Sequence, residues 1–238
     1  ESFSSDSSYL AYRKNFNVFV RNQKTGEELQ LTEDGKRNYE YASYYGWYDE
    51  MEGEGGDRPE HFSVNWSKNG NYLATELVNT LNAEKMYLLN HSVDTLYRAN
   101  LTSYYRGSPV DTTMVEVTPY IFNIKTGRKL KIDLPTGVHV NSVSIEFSDT
   151  EENVAYAIWK ERGYKKQFVK RINLKNEEIK TIWEESSDTS IDNFDFIQLK
   201  NPDEALIVSE KSGWKQIYSL NTSTGESESL TNGDFVVN

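Results

Sequence analysis

The chain is patterned for β-strands. Short runs of alternating apolar and polar residues are separated by clusters of Asn, Asp, Gly and Ser. An alternation with a period of two places successive side chains on opposite faces of an extended strand, whereas a helix repeats every 3.6 residues. Between Glu76 and Val117 lies a long insertion, in which the segment Asn82–Leu89 predicts one or two helical turns. Elsewhere the pattern predicts an all-β protein.

One arrangement of strands and turns recurs four times along the chain. Its first anchor, a polar turn followed by an apolar strand, occurs at 6–12, 68–74, 151–156 and 202–208. Its second anchor, a strand that ends in a tight turn, occurs at 18–26, 120–127, 169–176 and 217–225. The predicted outer turns end at residue types that tolerate positive φ, namely Gly26, Gly127, Asn176 and Gly225. Because a short strand flanks each pair of anchors, every unit has four antiparallel strands, like a propeller blade.

These repeats predict one β-propeller segment made of four antiparallel four-stranded units. Their approximate bounds are 1–60, 61–140, 141–192 and 193–238. A β-sandwich also contains short strands and frequent turns, and it is the alternative fold. It does not require the same strand order to repeat as a unit, so the propeller is favoured.

Composition and charge limit the ligands and partners that this chain can be expected to bind. Sixteen Tyr, 10 Phe and 5 Trp among 238 residues favour strands. The 37 acidic residues outnumber the 26 basic ones, giving a formal charge of −11 that argues against nucleic acid as a partner. The charge suits a cationic ligand, or it serves solubility alone. The absence of Cys excludes disulfides and thiolate metal sites.

The chain lacks the residues of a complete catalytic site. No Gly-x-Ser-x-Gly nucleophile elbow occurs in the sequence. His61, His91 and His139 stand apart from each other and from any ligand-like spacing, so we expect each to be a surface or turn residue. The sequence therefore predicts no metal, no cofactor and no catalysis by this chain alone.

Two motifs resemble a known family. Residues 209–218 read Ser-Glu-Lys-Ser-Gly-Trp-Lys-Gln-Ile-Tyr, and 230–237 read Leu-Thr-Asn-Gly-Asp-Phe-Val-Val. In this order they resemble the propeller motifs of the dipeptidyl peptidase IV-like serine peptidases of the prolyl oligopeptidase superfamily. Residues 66–74 resemble a blade signature that many propellers share. The likeness runs through essentially the whole chain.

The resemblance implies several properties of a larger protein. Its propeller would have seven or eight blades, so the four units here would form an open arc rather than a closed ring. We expect such an arc to be unstable or oligomeric when expressed alone. The implied partners are the protein's own C-terminal α/β-hydrolase domain, which is not part of this chain, a peptide substrate and a second copy in a homodimer. The family also suggests export to the periplasm or cell surface.

An acidic stretch at 45–52 resembles the family motif Asp-Trp-Val-Tyr-Glu-Glu-Glu, which lies on a short helix and binds the substrate's amino terminus. Aligned on Tyr48, Asp49 and Glu50 take the first two acidic positions and Met51 takes the third, with Glu52 as a substitute. On a helix, Asp49 and Glu52 would share a face. The resemblance therefore implies that Asp49, Glu50 and Glu52 bind the substrate amine. A solvated acidic loop is the alternative.

Aromatic residues near this stretch are candidates for the wall of a substrate cavity: Trp47, Tyr48, Tyr104 and Tyr105. Packing between blades is the other role open to them. The sequence thus predicts a propeller that gates access and binds the substrate N-terminus for a serine exopeptidase. The alternatives are a tripeptidyl or acylaminoacyl peptidase, and a non-enzymatic propeller that binds a protein or a saccharide.

Overall fold

A computed structural model describes residues 1–46, 48–91, 98–108, 110–138, 141–192 and 194–237. These described residues form β-strands and no helix. The strands are β1 (Ser2–Phe3), β2 (Tyr9–Lys14), β3 (Asn17–Asn22), β4 (Glu28–Gln30), β5 (Tyr39–Ser43), β6 (Met51–Glu52), β7 (Val64–Trp66), β8 (Tyr72–Asn79), β9 (Met86–Asn90), β10 (Asn100–Tyr104), β11 (Glu116–Asn123), β12 (Arg128–Lys129), β13 (Gly137–Val138), β14 (Ser144–Phe147), β15 (Val154–Lys160), β16 (Lys166–Asn173), β17 (Glu178–Ser186), β18 (Asp195–Gln198), β19 (Glu204–Ser209), β20 (Gln216–Asn221) and β21 (Ser227–Ser229).

Four antiparallel sheets follow one another along the chain. Three have four strands each, in the orders β1-β2-β3-β4, β14-β15-β16-β17 and β18-β19-β20-β21. The second sheet has the same core, β7-β8-β11-β12, and is extended by β5 and β13. The first predicted unit ends at about residue 60, and β5 lies within it. Because β5 pairs with β8, this strand belongs to the second sheet and not to the first. The predicted repeat of antiparallel four-stranded units is confirmed.

The insertion contains strands where a helix was predicted. Met86–Asn90 forms β9, which pairs with β10, and β10 pairs in turn with β6 in a separate three-stranded sheet. The prediction of helical turns over Asn82–Leu89 is therefore wrong. An isolated helix of this length is marginal in water, whereas pairing with β10 satisfies the main-chain groups of the segment.

The outer turns lie where the repeat placed them, with one correction. Gly26, Gly127 and Gly225 have φ values of 74°, 68° and 83°. In the third unit the residue with positive φ is Glu177, at 63°, and not Asn176. The left-handed position is the fourth residue after an asparagine in every unit, so Asn173 sets the register of the turn.

The asparagine that opens each of these turns holds it closed. In the first unit the Asn22 side-chain oxygen accepts hydrogen bonds from the amides of Lys24 and Thr25, at 2.9 and 3.0 Å. The Gly26 amide donates to the Asn22 carbonyl at 2.9 Å. Asn123, Asn173 and Asn221 accept main-chain hydrogen bonds in the same way. An Asn side chain competes well for local amides, which is why it recurs here.

Hydrophobic clusters join successive sheets. Side chains along β8 alternate between two of them: Leu73 belongs to the cluster shared with the first sheet, and Ala74 to the cluster shared with the third. A further cluster joins the third sheet to the fourth through Tyr156 and Ile207, among others. Each inner strand thus contributes one row of side chains to the sheet before it and one row to the sheet after it.

Strand direction places the insertion on one face of the molecule. In an antiparallel sheet, the turns that follow the first and third strands lie at one end, and the turn that follows the second strand lies at the other. The Asn-containing turns all follow a third strand. The described residues of the insertion, 80–91, 98–108 and 110–115, lie between the second and third strands of its sheet, so they project from the opposite face.

Replacing Gly26 with Ala tests the turn geometry. A Cβ at Gly26 would meet nothing within 4 Å, so the expected effect is backbone strain alone. We expect the free energy of unfolding to fall by about 1 kcal/mol, because φ is 74° there. Urea unfolding followed by tryptophan fluorescence measures it. Gly55→Ala is the control, since Gly55 also has open space but lacks a left-handed φ; equal losses would contradict the explanation.

Candidate functional site

The predicted amine-binding residues lie on the segment between β5 and β7. Asp49 and Met51 are buried, whereas Glu50 and Glu52 are exposed. Buried and exposed side chains thus alternate with a period of two, as in a β-strand. Met51 and Glu52 indeed form β6. No helix occurs in the described part of the segment, so the predicted pairing of Asp49 with Glu52 on a helix face is wrong. Glu50 and Glu52 are the acidic residues that share a side.

Met51 anchors the segment by apolar packing. Its side chain is 1% exposed and belongs to a cluster with Val78, Tyr105, Val115 and Val117. These partners come from β8, from the insertion and from β11. Met51, which the resemblance aligns with an acidic position, is therefore a core residue.

Asp49 is held by a buried arginine. The Arg58 side chain is 1% exposed, and its Nη1 lies 2.8 Å from Asp49 Oδ2. The same nitrogen donates to the Tyr44 carbonyl at 2.9 Å. Nη2 lies 3.1 Å from Glu40 Oε2 and donates to Ser43 Oγ at 2.7 Å. One guanidinium thus binds two carboxylates, a hydroxyl and a carbonyl.

The second oxygen of Asp49 is also engaged. His61 Nε2 lies 2.7 Å from Asp49 Oδ1, and the His61 ring stacks on Tyr44 with the ring centroids 4.1 Å apart. The Gly46 amide donates to Asp49 Oδ2 at 3.3 Å. A Cβ at Gly46 would lie 2.1 Å from Asp49 Oδ1, so a side chain there would displace the carboxylate. Asp49 is an anchor whose two oxygens both have partners.

The ionic contacts continue into the first sheet. Arg13, on β2, lies 3.6 Å from Glu40 and 3.6 Å from Glu60. Its Nη1 and the Nε of Arg58 are buried and lack a hydrogen-bond partner among the described residues. The contacts therefore connect β2, β5 and the acidic segment.

The predicted cavity-lining residues are distributed differently. Tyr48 is 83% exposed, and Tyr104 on β10 is partly buried. Tyr105 is 7% exposed and packs beside Met51. Trp47 lies outside the described residues.

Tyr45 ties this region to the insertion. Its hydroxyl donates to the Tyr105 carbonyl. Burial, with a smaller contribution from the charge of Asp49, raises the pKa of Tyr45 to about 12. The hydroxyl is therefore neutral at physiological pH and remains a donor. It fixes the start of the acidic segment against the end of β10.

Four residues of this site were not predicted to belong to it: Glu40, Gly46, Arg58 and His61. The expectation that His61 is a surface or turn residue is wrong, because it is largely buried against Asp49. Arg58 offered a usable signal, since it stands in a stretch otherwise rich in acidic residues and a buried acid needs a cation. His139 lies outside the described residues.

The described residues hold neither a cluster of metal-ligating side chains nor a membrane-spanning helix. They contain no group of three or more His, Cys, Asp or Glu side chains placed to hold a metal ion. Nor do they include a helix with the length and apolar character needed to cross a bilayer.

Comparison with known proteins identifies the family. Residues 1–238 match the family described as the dipeptidyl peptidase IV (DPP IV) N-terminal region. The match covers the whole chain, and the chain belongs to this family. A comparison with curated protein sequences gave no significant match.

Solved structures agree on the fold. Dipeptidyl peptidase 4 of Porphyromonas gingivalis is 19% identical, with a TM-score of 0.73, and the match covers 100% of this chain and 33% of that one. A candidate dipeptidyl aminopeptidase IV of Bacteroides ovatus is 15% identical, with a TM-score of 0.65, and the match covers 98% of this chain and 33% of that one. The predicted β-propeller class is confirmed. The chain spans about a third of the length of these proteins.

Replacing Arg58 with Ala tests the buried ionic contacts. It would leave Glu40 and Asp49 buried with one cation fewer, so we expect a loss of about 3 kcal/mol in the free energy of unfolding. Arg37→Ala is the matched control, because Arg37 pairs with Asp57 at the surface of the same region and such pairs contribute less than about 1 kcal/mol. Urea unfolding of both variants measures the difference. Similar small losses would show that Arg58 is not an internal anchor.

Proposed function

We propose that this chain is the substrate-gating and substrate N-terminus-binding propeller of a dipeptidyl-peptidase-IV-like serine exopeptidase. The observation that carries the proposal is the pair of exposed carboxylates, Glu50 and Glu52, on a firmly anchored segment of a family member. The catalytic serine would lie on a C-terminal α/β-hydrolase domain of the same protein, and the protein would be exported to the periplasm or cell surface.

The chemistry of the two carboxylates suits an amino terminus. An ammonium group has three donors, and each charge-assisted hydrogen bond to a carboxylate contributes about 1.5 to 3 kcal/mol. In the described part of the chain neither Glu50 nor Glu52 forms an ion pair, so both charges are free for a ligand. A mid-chain amide carries no charge and would be bound far more weakly. The site would therefore select free N-termini.

The remaining predicted residues take supporting roles in this proposal. Asp49 already binds Arg58 and His61, so it positions Glu50 rather than binding the amine itself. Tyr48 is the exposed aromatic residue next to the carboxylates and is assigned to the cavity wall, with Tyr104 as a second wall residue. Tyr105 packs against Met51 in the hydrophobic core and so stabilises the acidic segment that carries Glu50 and Glu52.

Glu50→Gln in the full-length protein tests the proposal. Losing one charge-assisted bond should lower kcat/KM for a free-amine dipeptide-coumarin substrate by about 10-fold or more. The N-acetylated form of the same substrate should be unaffected, because it has no ammonium to bind. Steady-state fluorescence kinetics on both substrates measure the effect.

The control is Glu54→Gln, which removes a charge from the same exposed stretch but not from the proposed pair. It should leave both rates near those of the parent. Equal losses on free and acetylated substrates with Glu50→Gln would remove the amine-binding role. A parent enzyme that prefers acetylated substrates, or one that releases tripeptides, would instead support the acylaminoacyl or tripeptidyl alternative.

In a homodimer, we expect the second copy to contact this chain along strand β9. β9 is the edge strand of the insertion sheet, and its apolar side chains are exposed on both faces: Met86 45%, Tyr87 48%, Leu88 53% and Leu89 53%. An exposed apolar edge strand is a template for pairing with another chain. The segment from Met86 to Asn90 carries no charge, so two acidic copies could approach here without local repulsion. We propose that two copies pair their β9 strands across a two-fold axis.

Leu88→Lys tests this pairing, because it places two positive charges close together near the axis of the proposed dimer. We expect the full-length protein to shift from dimer to monomer in sedimentation-equilibrium experiments. Val110→Lys is the control, since Val110 is 86% exposed and lies outside the edge strand. A parent protein that is monomeric, or a Leu88 variant that remains dimeric, would overturn the proposal.

A further inference from the structure

The acidic segment, residues 45–52, is tied to β5 by the buried Arg58 side chain. Arg58 contacts Glu40 and Ser43 on β5, the Tyr44 carbonyl, and Asp49 beside the exposed carboxylates. From these contacts we infer that Arg58 is a positioning residue that sets the direction of Glu50 and thereby the selectivity for a free amino terminus. This inference rests on the proposed amine-binding role of Glu50.

Glu50 lies between two anchors of different chemistry. On one side Asp49 is fixed by polar contacts to both of its carboxylate oxygens. On the other side Met51 is fixed by apolar packing. Because the two neighbours point inward, the main chain at Glu50 has little freedom and its side chain points outward. Without the polar contacts of Asp49, the main chain on the N-terminal side of Glu50 would no longer be fixed.

Arg58 is suited to this role by its shape as well as its charge. Its two terminal nitrogens make four contacts at 2.7 to 3.1 Å with four different residues of the stretch from Glu40 to Asp49. A lysine would supply three donors from one atom, so it could keep the charge but not span the same set of acceptors. The arrangement therefore depends on a planar fork, and a conservative replacement should loosen it.

The charge balance assigns different roles to the acidic residues. The internal carboxylates of Asp49 and Glu40 are both bound by Arg58, and Glu40 also lies near Arg13. Glu50 and Glu52 are exposed, and the described residues offer them no ion pair. Arg58 thus neutralises the carboxylates that build the site and leaves free those that would face the substrate. Burying a charged pair adds little net stability compared with apolar packing, so positional precision is the property that it can supply.

Arg58→Lys in the full-length enzyme is the primary test, with free-amine and N-acetylated dipeptide-coumarins as probes. A misplacement of about 1 Å in a binding group can cost up to 100-fold, so we expect KM for the free-amine substrate to rise about 10-fold. We expect kcat for both substrates and KM for the acetylated one to stay unchanged. A merely structural role would affect the two substrates alike.

Arg171→Lys is the matched control for loss of a partly buried ion pair. Arg171 Nη2 binds both oxygens of Glu151, at 2.7 and 2.9 Å, in the third sheet and away from the acidic segment. We expect this variant to lower the melting temperature without changing the ratio of kcat/KM between the free and acetylated substrates. If Arg58→Lys leaves that ratio unchanged as well, the inference is wrong.

A second variant keeps the test decisive if Arg58→Lys fails to fold. Gly46→Ala removes no charge, but its Cβ would lie 2.1 Å from Asp49 Oδ1 and should push the carboxylate out of place. It should shift the same KM in the same direction. If Gly46→Ala folds and leaves the ratio of the two substrates unchanged, the positioning role is overturned.

A double-mutant cycle separates this inference from the proposed function. If Arg58 acts through Glu50, Arg58→Lys should cause no further selective loss in a Glu50→Gln background. Additive selective losses would overturn the positioning role while leaving amine binding by Glu50 intact. If Glu50→Gln by itself changes nothing, the proposed function fails first, and the inference fails with it.

Discussion

Each central sheet of this protein must bury both of its faces, and the rest of the fold depends on that constraint. Along β15, Val154 and Tyr156 pack toward the fourth sheet, while Ala155 and Ala157 pack toward the second. A strand buried in this way has apolar side chains at nearly every position, unlike a strand with one face in water. The constraint fixes the register of the inner strands, because a slip by one residue would exchange the two rows of side chains.

The turns on one face follow from the same repetition. Each outer hairpin must reverse within a few residues to keep its last strand in the sheet, and an Asn side chain closes the turn by binding main-chain amides. The third unit uses Glu177 in the left-handed position, where the carboxylate accepts a hydrogen bond from the Lys131 amide and binds Arg128. These contacts lower the pKa of Glu177 and link the third sheet to β12 of the second sheet and to the residues that follow β12.

The acidic segment obeys a different rule, because it lies outside the repeat. The pairing of β6 with β10, the buried Arg58 guanidinium and the Met51 side chain hold it in place. Polar contacts have directions that apolar packing lacks, and they can therefore define the position of one carboxylate more closely. Met51 provides the apolar anchor, and the exposed side chains of Glu50 and Glu52 lie on either side of it.

The sequence by itself determined the fold class, the repeated units and three of the four left-handed turn positions. These features are local and periodic, so each repetition adds to the same signal. It also located the acidic stretch, for which the family resemblance implied a helix, and the charges along so short a segment do not reveal whether its period is 3.6 or two. Only the tertiary structure decided that Asp49 is internal, that Glu50 and Glu52 face outward, and that Arg58 and His61 complete the site. Those contacts join Glu40 to Arg58 and Asp49 across a loop. The path of this loop depends on packing against β8 and β10, which a local sequence pattern cannot predict.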